Sequence, residues 1–153
     1  YIPEGYVPAA EQRMDLYRRI AALRTPADEA DLMDELLDRY GDVPKPVTAL
    51  LNVAMLRAAA METGITDITQ KGRQLIFSFD MRIEPAALLA VCGMAGYRDR
   101  LQLAAGASPK LTLFLQPRED ALDAAGGLVE QLRLQQNELQ LQGQQPQEGG
   151  NEP

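Results

Sequence analysis

Five carboxylates fall within twelve residues of this chain: Asp31, Asp34, Glu35, Asp38 and Asp42, in the stretch DLMDELLDRYGDVP over 31–44. Carboxylates at such spacing offer two kinds of chemistry. They can ligate a divalent cation. Mg²⁺ takes one or two carboxylates plus substrate phosphates, so Asp34, Asp38 and Asp42 are candidate ligands for phosphoryl transfer or hydrolysis. They can also present negative charge to a basic partner. A plain solvated face would do neither. At about 100° per residue, Met33, Leu36, Leu37 and Tyr40 centre on one side of a helix, and Asp31, Asp34, Glu35 and Asp38 centre almost opposite. Like charges three and four residues apart cost about 0.2–0.5 kcal/mol per pair. Asp38 also lies in the last turn, beside the negative end of the helix dipole, and Arg39 relieves only part of this. A local rule broken without an internal gain points to function.

Little other chemistry is available. There is no Gly-rich phosphate loop ending in Lys-Ser or Lys-Thr, and no dinucleotide fingerprint. Gly106-Ala107-Ser108-Pro109-Lys110 has some letters of a phosphate loop without its spacing. Histidine is absent, which excludes Ser-His-Asp and Cys-His arrangements. Cys92, the single cysteine, excludes an internal disulfide and a cysteine-based zinc site, reads as a small buried apolar residue, and points to a reducing, cytoplasmic setting. A net charge of −7, with five Tyr, three Phe and no Trp, argues against a nucleic-acid surface. The arginines, among them Arg13, Arg18, Arg19, Arg24, Arg73, Arg82, Arg98 and Arg100, read as scattered solvated charges. No apolar run approaches the roughly 20 residues of a membrane helix. The chain opens Tyr1-Ile2-Pro3-Glu4 without an initiator methionine, which reads as a piece of a longer protein.

The elements that must position the acids follow from periodicity and punctuation. Tyr1 to Pro8, with Pro3, Gly5 and Pro8, reads as an extended surface segment. Ala9 to Arg24 is helical, with a stripe of Leu16, Ile20 and Leu23 flanked by Met14, Tyr17 and Ala21. Thr25-Pro26-Ala27-Asp28 is a capping box that starts a helix ending at Tyr40, where Gly41 supplies a left-handed stop. A third helix runs from near Pro46 to Thr63, with Val47, Leu50, Leu51, Ala54, Ala58 and Met61 inward. Strands follow over 65–69 and 73–79, where Leu75, Phe77 and Phe79 alternate with Ile76 and Ser78. A short helix spans Pro85 to Met94, two more strands cover 98–103 and 110–116, and a last helix starts at Arg118. The order αααββαββα predicts an α+β fold, an N-terminal three-helix segment followed by a small mixed α/β part. One compact domain is expected over 1–141, with a disordered Gln-, Gly- and Pro-rich tail over 142–153.

The runs IPEGYVPAAEQRMDLYRRIAAL, ELLDRYGDVP and LLNVAMLRAAAMETGI together resemble the C-terminal (TRCF) domain of the bacterial transcription-repair coupling factors. The resemblance is tight to Ile65 and looser to Leu141. Arg13, Tyr17, Arg19, the Glu-x-x-Asp-Arg-aromatic-Gly run and Pro44 carry it. It implies a parent that is an ATP-driven DNA translocase, displaces stalled RNA polymerase and recruits the repair protein UvrA. ATP and Mg²⁺ would belong to the parent's motor domains, with no cofactor in this chain. The domain itself would be non-catalytic and autoinhibitory, folding back on an N-terminal UvrB-like module to mask its UvrA-binding surface. The resemblance assigns that contact to Glu35 and Asp38, followed by Arg39, with Asp31 and Asp34 as neighbouring surface. It implies no direct contact with nucleic acid or membrane.

Overall fold

The computed structural model describes residues 1–144. The chain divides into two compact units, 1–60 and from Met61 onward, where the sequence suggested one. The division falls inside a continuous helix, which periodicity alone does not reveal.

In the first unit, α1 (Ala10–Ala21), α2 (Pro26–Tyr40) and the start of α3 (Lys45–Glu62) surround one apolar cluster. The predicted capping box is closed. The Thr25 hydroxyl accepts from the Asp28 N–H at 3.1 Å, and the Asp28 carboxylate accepts from the Thr25 N–H at 3.2 Å. At the other end, Gly41 has φ 81° and ψ −157°, an extended left-handed conformation that essentially only glycine adopts, and its N–H still donates to the Leu37 carbonyl. The cluster contains Leu16, Ile20, Leu23, Leu32, Leu36, Val47 and Leu51, with Met33 and Tyr40 packed against it.

Leu37 is a correction: it is 46% exposed, whereas Leu32 and Leu36 are buried. The buried stripe of α2 is centred nearer Leu32 than the local wheel suggested, because the neighbouring α1 and α3 residues, not α2 alone, fix which face turns inward. Met14 and Met61 are likewise exposed, and α1 stops three residues before Arg24 while Leu23 stays buried just beyond it.

The N-terminal segment also departs from expectation. Ile2 and Val7 are buried, and a turn closes with the Tyr6 and Val7 N–H groups donating to the Pro3 carbonyl. Two α1 side chains secure it. The Tyr17 hydroxyl accepts from the Ile2 N–H at 2.7 Å, and the Arg13 guanidinium donates to the Val7 and Pro8 carbonyls at 2.9 and 2.8 Å. Pro and Gly content signals irregular backbone but not whether its apolar residues are buried.

The second unit is built on a four-stranded antiparallel sheet, order β1-β2-β4-β3. β1 (Ile65–Lys71) and β2 (Gln74–Phe79) are joined by Gly72-Arg73, with Gly72 at φ 58°, the positive φ a two-residue hairpin connection needs. Alternation sets the buried face: Phe77 pairs with Leu111 and Leu75 with Leu113 across β2 and β4 (Lys110–Phe114). β3 (Leu101–Ala104) is shorter and later than predicted, because 98–100 sit in turns. α4 (Pro85–Cys92) packs against α5 (Ala121–Gln144). α5 starts three residues after Arg118, which takes φ 66°, and Asp120 accepts from the Asp123 N–H at its start. Its buried stripe is Ala124, Ala125, Leu128, Val129, Leu132 and Gln136. Buried Gln136 donates to the Arg82 carbonyl at 2.7 Å and accepts from the Glu84 N–H at 3.0 Å, tying α5 to the segment that leads into α4. α5 runs past Leu141 to Gln144, and the rest of the predicted tail, 145–153, lies outside the described residues.

Candidate functional site

The acidic face of α2 lies in the first unit, on a helix anchored at both ends. The capping box fixes its start. Its end is fixed by Tyr6, whose hydroxyl lies 3.4 Å from the Leu36 carbonyl and 3.3 Å from that of Gly41, and whose ring packs on Tyr40 at 5.5 Å. The single hydroxyl proton serves one of these two carbonyls at a time, at the end of the helix and just beyond it. The Tyr40 hydroxyl donates to Gln12 of α1 at 3.3 Å, and the Arg39 guanidinium sits 5.2 Å from the centre of the Tyr40 ring.

The structure separates the five predicted interface residues into two groups. Asp31, Asp34 and Asp38 are exposed and make no hydrogen bond or ion pair among the described residues. Glu35 is different. Its Oε2 accepts from the guanidinium of Arg19, which reaches over from the last turn of α1, and Arg39 Nη1 lies 3.8 Å from its Oε1. Arg19 holds the Glu35 carboxyl below the usual glutamate range, and Glu35 in turn raises Arg19. The mutual repulsion expected along the face is therefore relieved at Glu35 and remains along Asp31, Asp34 and Asp38, at about 0.2–0.5 kcal/mol for each like-charge pair.

The Arg19–Glu35 pairing was not legible in the sequence. By sequence Arg19 reads as one more solvated cation. Its place in the last turn of α1, a short connection before α2, is the only local signal that it can reach that helix. A cleft of about 250 Å³ lies between α1 and α2, with Leu16 and Leu36 among its walls and Glu11, Asp15, Arg19, Glu35 and Arg39 supplying charge.

The competing metal reading finds no support in the arrangement. Among the described residues no three Asp, Glu or Cys side chains come close enough together to hold a metal ion, so Asp34, Asp38 and Asp42 do not form the alternative ligand set. Asp42 lies beyond Gly41, where the helix has ended. Cys92 is half-buried, and burial pushes its thiol up, away from the reactive thiolate. No described helix is long and apolar enough to cross a membrane.

Comparison with known proteins places this architecture. The chain is 32% identical over 92 residues to the transcription-repair-coupling factor of Escherichia coli (strain K12), which covers 59% of this chain and 8% of that protein. It is 41% identical over 69 residues to the factor of Mycobacterium tuberculosis (strain CDC 1551 / Oshkosh), covering 45% and 6%. This chain thus spans less than a tenth of the length of these curated relatives. The solved C-terminal domain of a transcription-repair coupling factor superposes with a TM-score of 0.74 at 19% identity, covering 90% of this chain and 89% of that one, and so shares its fold. The model of the TRCF domain family matches residues 1–87, more than half of the sequence, including both capped ends of α2 and the whole acidic face. The chain belongs to the TRCF domain family of transcription-repair coupling factors.

Proposed function

We propose that this chain is a non-catalytic, autoinhibitory interaction domain of a cytoplasmic transcription-repair coupling factor. The acidic face of α2, with Glu35 and Asp38 at its centre, docks on a basic surface of the parent's N-terminal UvrB-like module. Docking covers the surface that UvrA must reach. The domain needs no cofactor, since ATP and Mg²⁺ serve the parent's motor domains. RNA polymerase and UvrA are then partners of the parent, and this domain acts on them indirectly.

The observation that carries the reading is the row of exposed, unpartnered carboxylates Asp31, Asp34 and Asp38 along one side of a helix fixed at both ends. Nothing within the described residues offsets their repulsion. A basic partner would, and charge complementarity of this kind sets orientation and specificity.

The test is Glu35→Ala with Asp38→Ala in the full-length parent. Removing one side of a partly desolvated charge contact shifts a closed–open equilibrium by a factor of about 30 or more. The variant is expected to capture UvrA more strongly than wild type. A control that removes two other exposed acids, Asp99→Asn with Glu138→Gln, is expected to change nothing. Equal UvrA capture by wild type and the Glu35/Asp38 variant, both folded, would overturn the reading.

A further inference from the structure

The two acids assigned to docking are not equivalent. Asp38 has no partner among the described residues, whereas Glu35 is held from two sides. Arg19 reaches it from α1 and makes the hydrogen bond. Arg39, at 3.8 Å, is beyond hydrogen-bonding reach and contributes charge alone. An ionised carboxylate has about four acceptor sites. With one hydrogen bond accepted, Glu35 retains capacity for a further donor. Its side chain is 37% exposed and that of Arg19 42%, so both stand at the rim of the α1–α2 cleft, where a partner can meet them.

We propose that Arg19 is a positioning residue for docking: it fixes the Glu35 carboxylate in the orientation that a partner's guanidinium meets, so that α1 and α2 together form the interaction surface. The proposal rests on the docking reading above and adds a residue to it. Simple charge counting gives the opposite sign. Arg19 is a like charge to a basic partner, so its loss should tighten docking.

Magnitudes decide between the two. Arg19 and a partner's guanidinium would share the Glu35 carboxylate at the rim of the cleft, where the Arg19 and Glu35 side chains keep 42% and 37% of their exposure, so water and salt screen the repulsion to about twofold or less. Freezing a free Glu side chain on docking weakens binding by about 2- to 10-fold. Pre-fixing Glu35 therefore outweighs the repulsion. The lowered Glu35 pKa agrees with a carboxylate kept ionised and in place.

The experiment is a double-mutant cycle in the full-length parent, with UvrA affinity as the measure of the open form and thermal denaturation to verify folding. Glu35→Gln is expected to raise UvrA affinity about tenfold or more. Arg19→Gln is expected to raise it about threefold, to have no further effect when Glu35→Gln is already present, and to be reversed to within about twofold of wild type by Arg19→Lys in its place. A purely structural role would weaken the folded state in both backgrounds, and that result overturns the proposal. So does lower UvrA affinity for Arg19→Gln, which would make Arg19 a competing charge. No effect of Glu35→Gln removes the docking reading itself, and the proposal with it. An effect of Glu35→Gln without one from Arg19→Gln overturns the positioning role alone.

Discussion

The first unit, 1–60, and the second, from Met61, are specified in different ways. The first depends on side chains that reach particular backbone atoms: Tyr17 to the Ile2 N–H, Arg13 to the Val7 and Pro8 carbonyls, Tyr6 toward the end of α2. Each contact needs one residue type at one position. The second depends mainly on alternation, with Leu75, Phe77 and Phe79 on β2 facing the same side as Leu111 and Leu113 on β4. Many apolar residues would serve there. The family model matches 1–87, which takes in the first unit and the β1–β2 hairpin of the second, and the shared fold extends over 90% of the chain.

The largest expected effects compare the two cores. Phe77→Ala, at a fully buried sheet position, should destabilise by about 3–5 kcal/mol, and Leu36→Ala, buried on α2, by about 2–5 kcal/mol. Leu37→Ala, one residue along but half exposed, should cost less than about 1 kcal/mol. Urea denaturation measures all three. A Leu37→Ala cost equal to that of Leu36→Ala would mean α2 is turned the other way.

Smaller effects separate directional from packing contacts. Gln136→Leu removes both of its hydrogen bonds and leaves the Arg82 carbonyl and Glu84 N–H without their partner, at a cost of about 1–3 kcal/mol. Tyr17→Phe removes a single acceptor and should cost about 0.5–1.5 kcal/mol. If Tyr17→Phe leaves the denaturation midpoint unmoved, the N-terminal segment is held by the burial of Ile2 and Val7 alone, and the first unit relies on packing as the second does.

The smallest effect is electrostatic and occurs in both units. Arg19 lowers the pKa of Glu35 in the first; Arg82 lowers that of Asp80 and Arg133 that of Glu130 in the second. A carboxyl with a depressed folded-state pKa adds stability above its unfolded value and loses it as pH falls through the folded value. For Glu35 and Glu130 the contribution is present above about pH 4.5 and lost below it; for Asp80 the loss starts near pH 3.8. Stability of the Glu35→Gln variant should therefore fall less steeply than wild type as pH drops below 4.5, by urea midpoint. Parallel acid limbs would mean that solvent screens the Arg19 pair completely.

Local signals carried much of this molecule. Thr25, Pro26 and Asp28 determined where α2 begins, because a capping box is satisfied within four residues. Gly41 determined where it ends, although its ψ differs from the usual stop. Alternation in β2 and β4 determined which side of the sheet is buried, because the side-chain period of a strand is two. Residue types alone also excluded a disulfide within this chain and a histidine supplied by it, and marked the acids of α2 as misplaced. Other features depended on residues distant in sequence. Which of Leu32 and Leu37 turns inward depends on α1 and α3, since a stripe shifted by one residue fits the local pattern almost as well. Ile2 and Val7 are buried in a segment whose backbone Tyr17 and Arg13 of α1 bond from outside it. The pairing of Arg19 with Glu35, sixteen residues apart, arises because a tight turn brings the end of one helix beside the middle of the next, and no periodicity within either helix encodes that meeting.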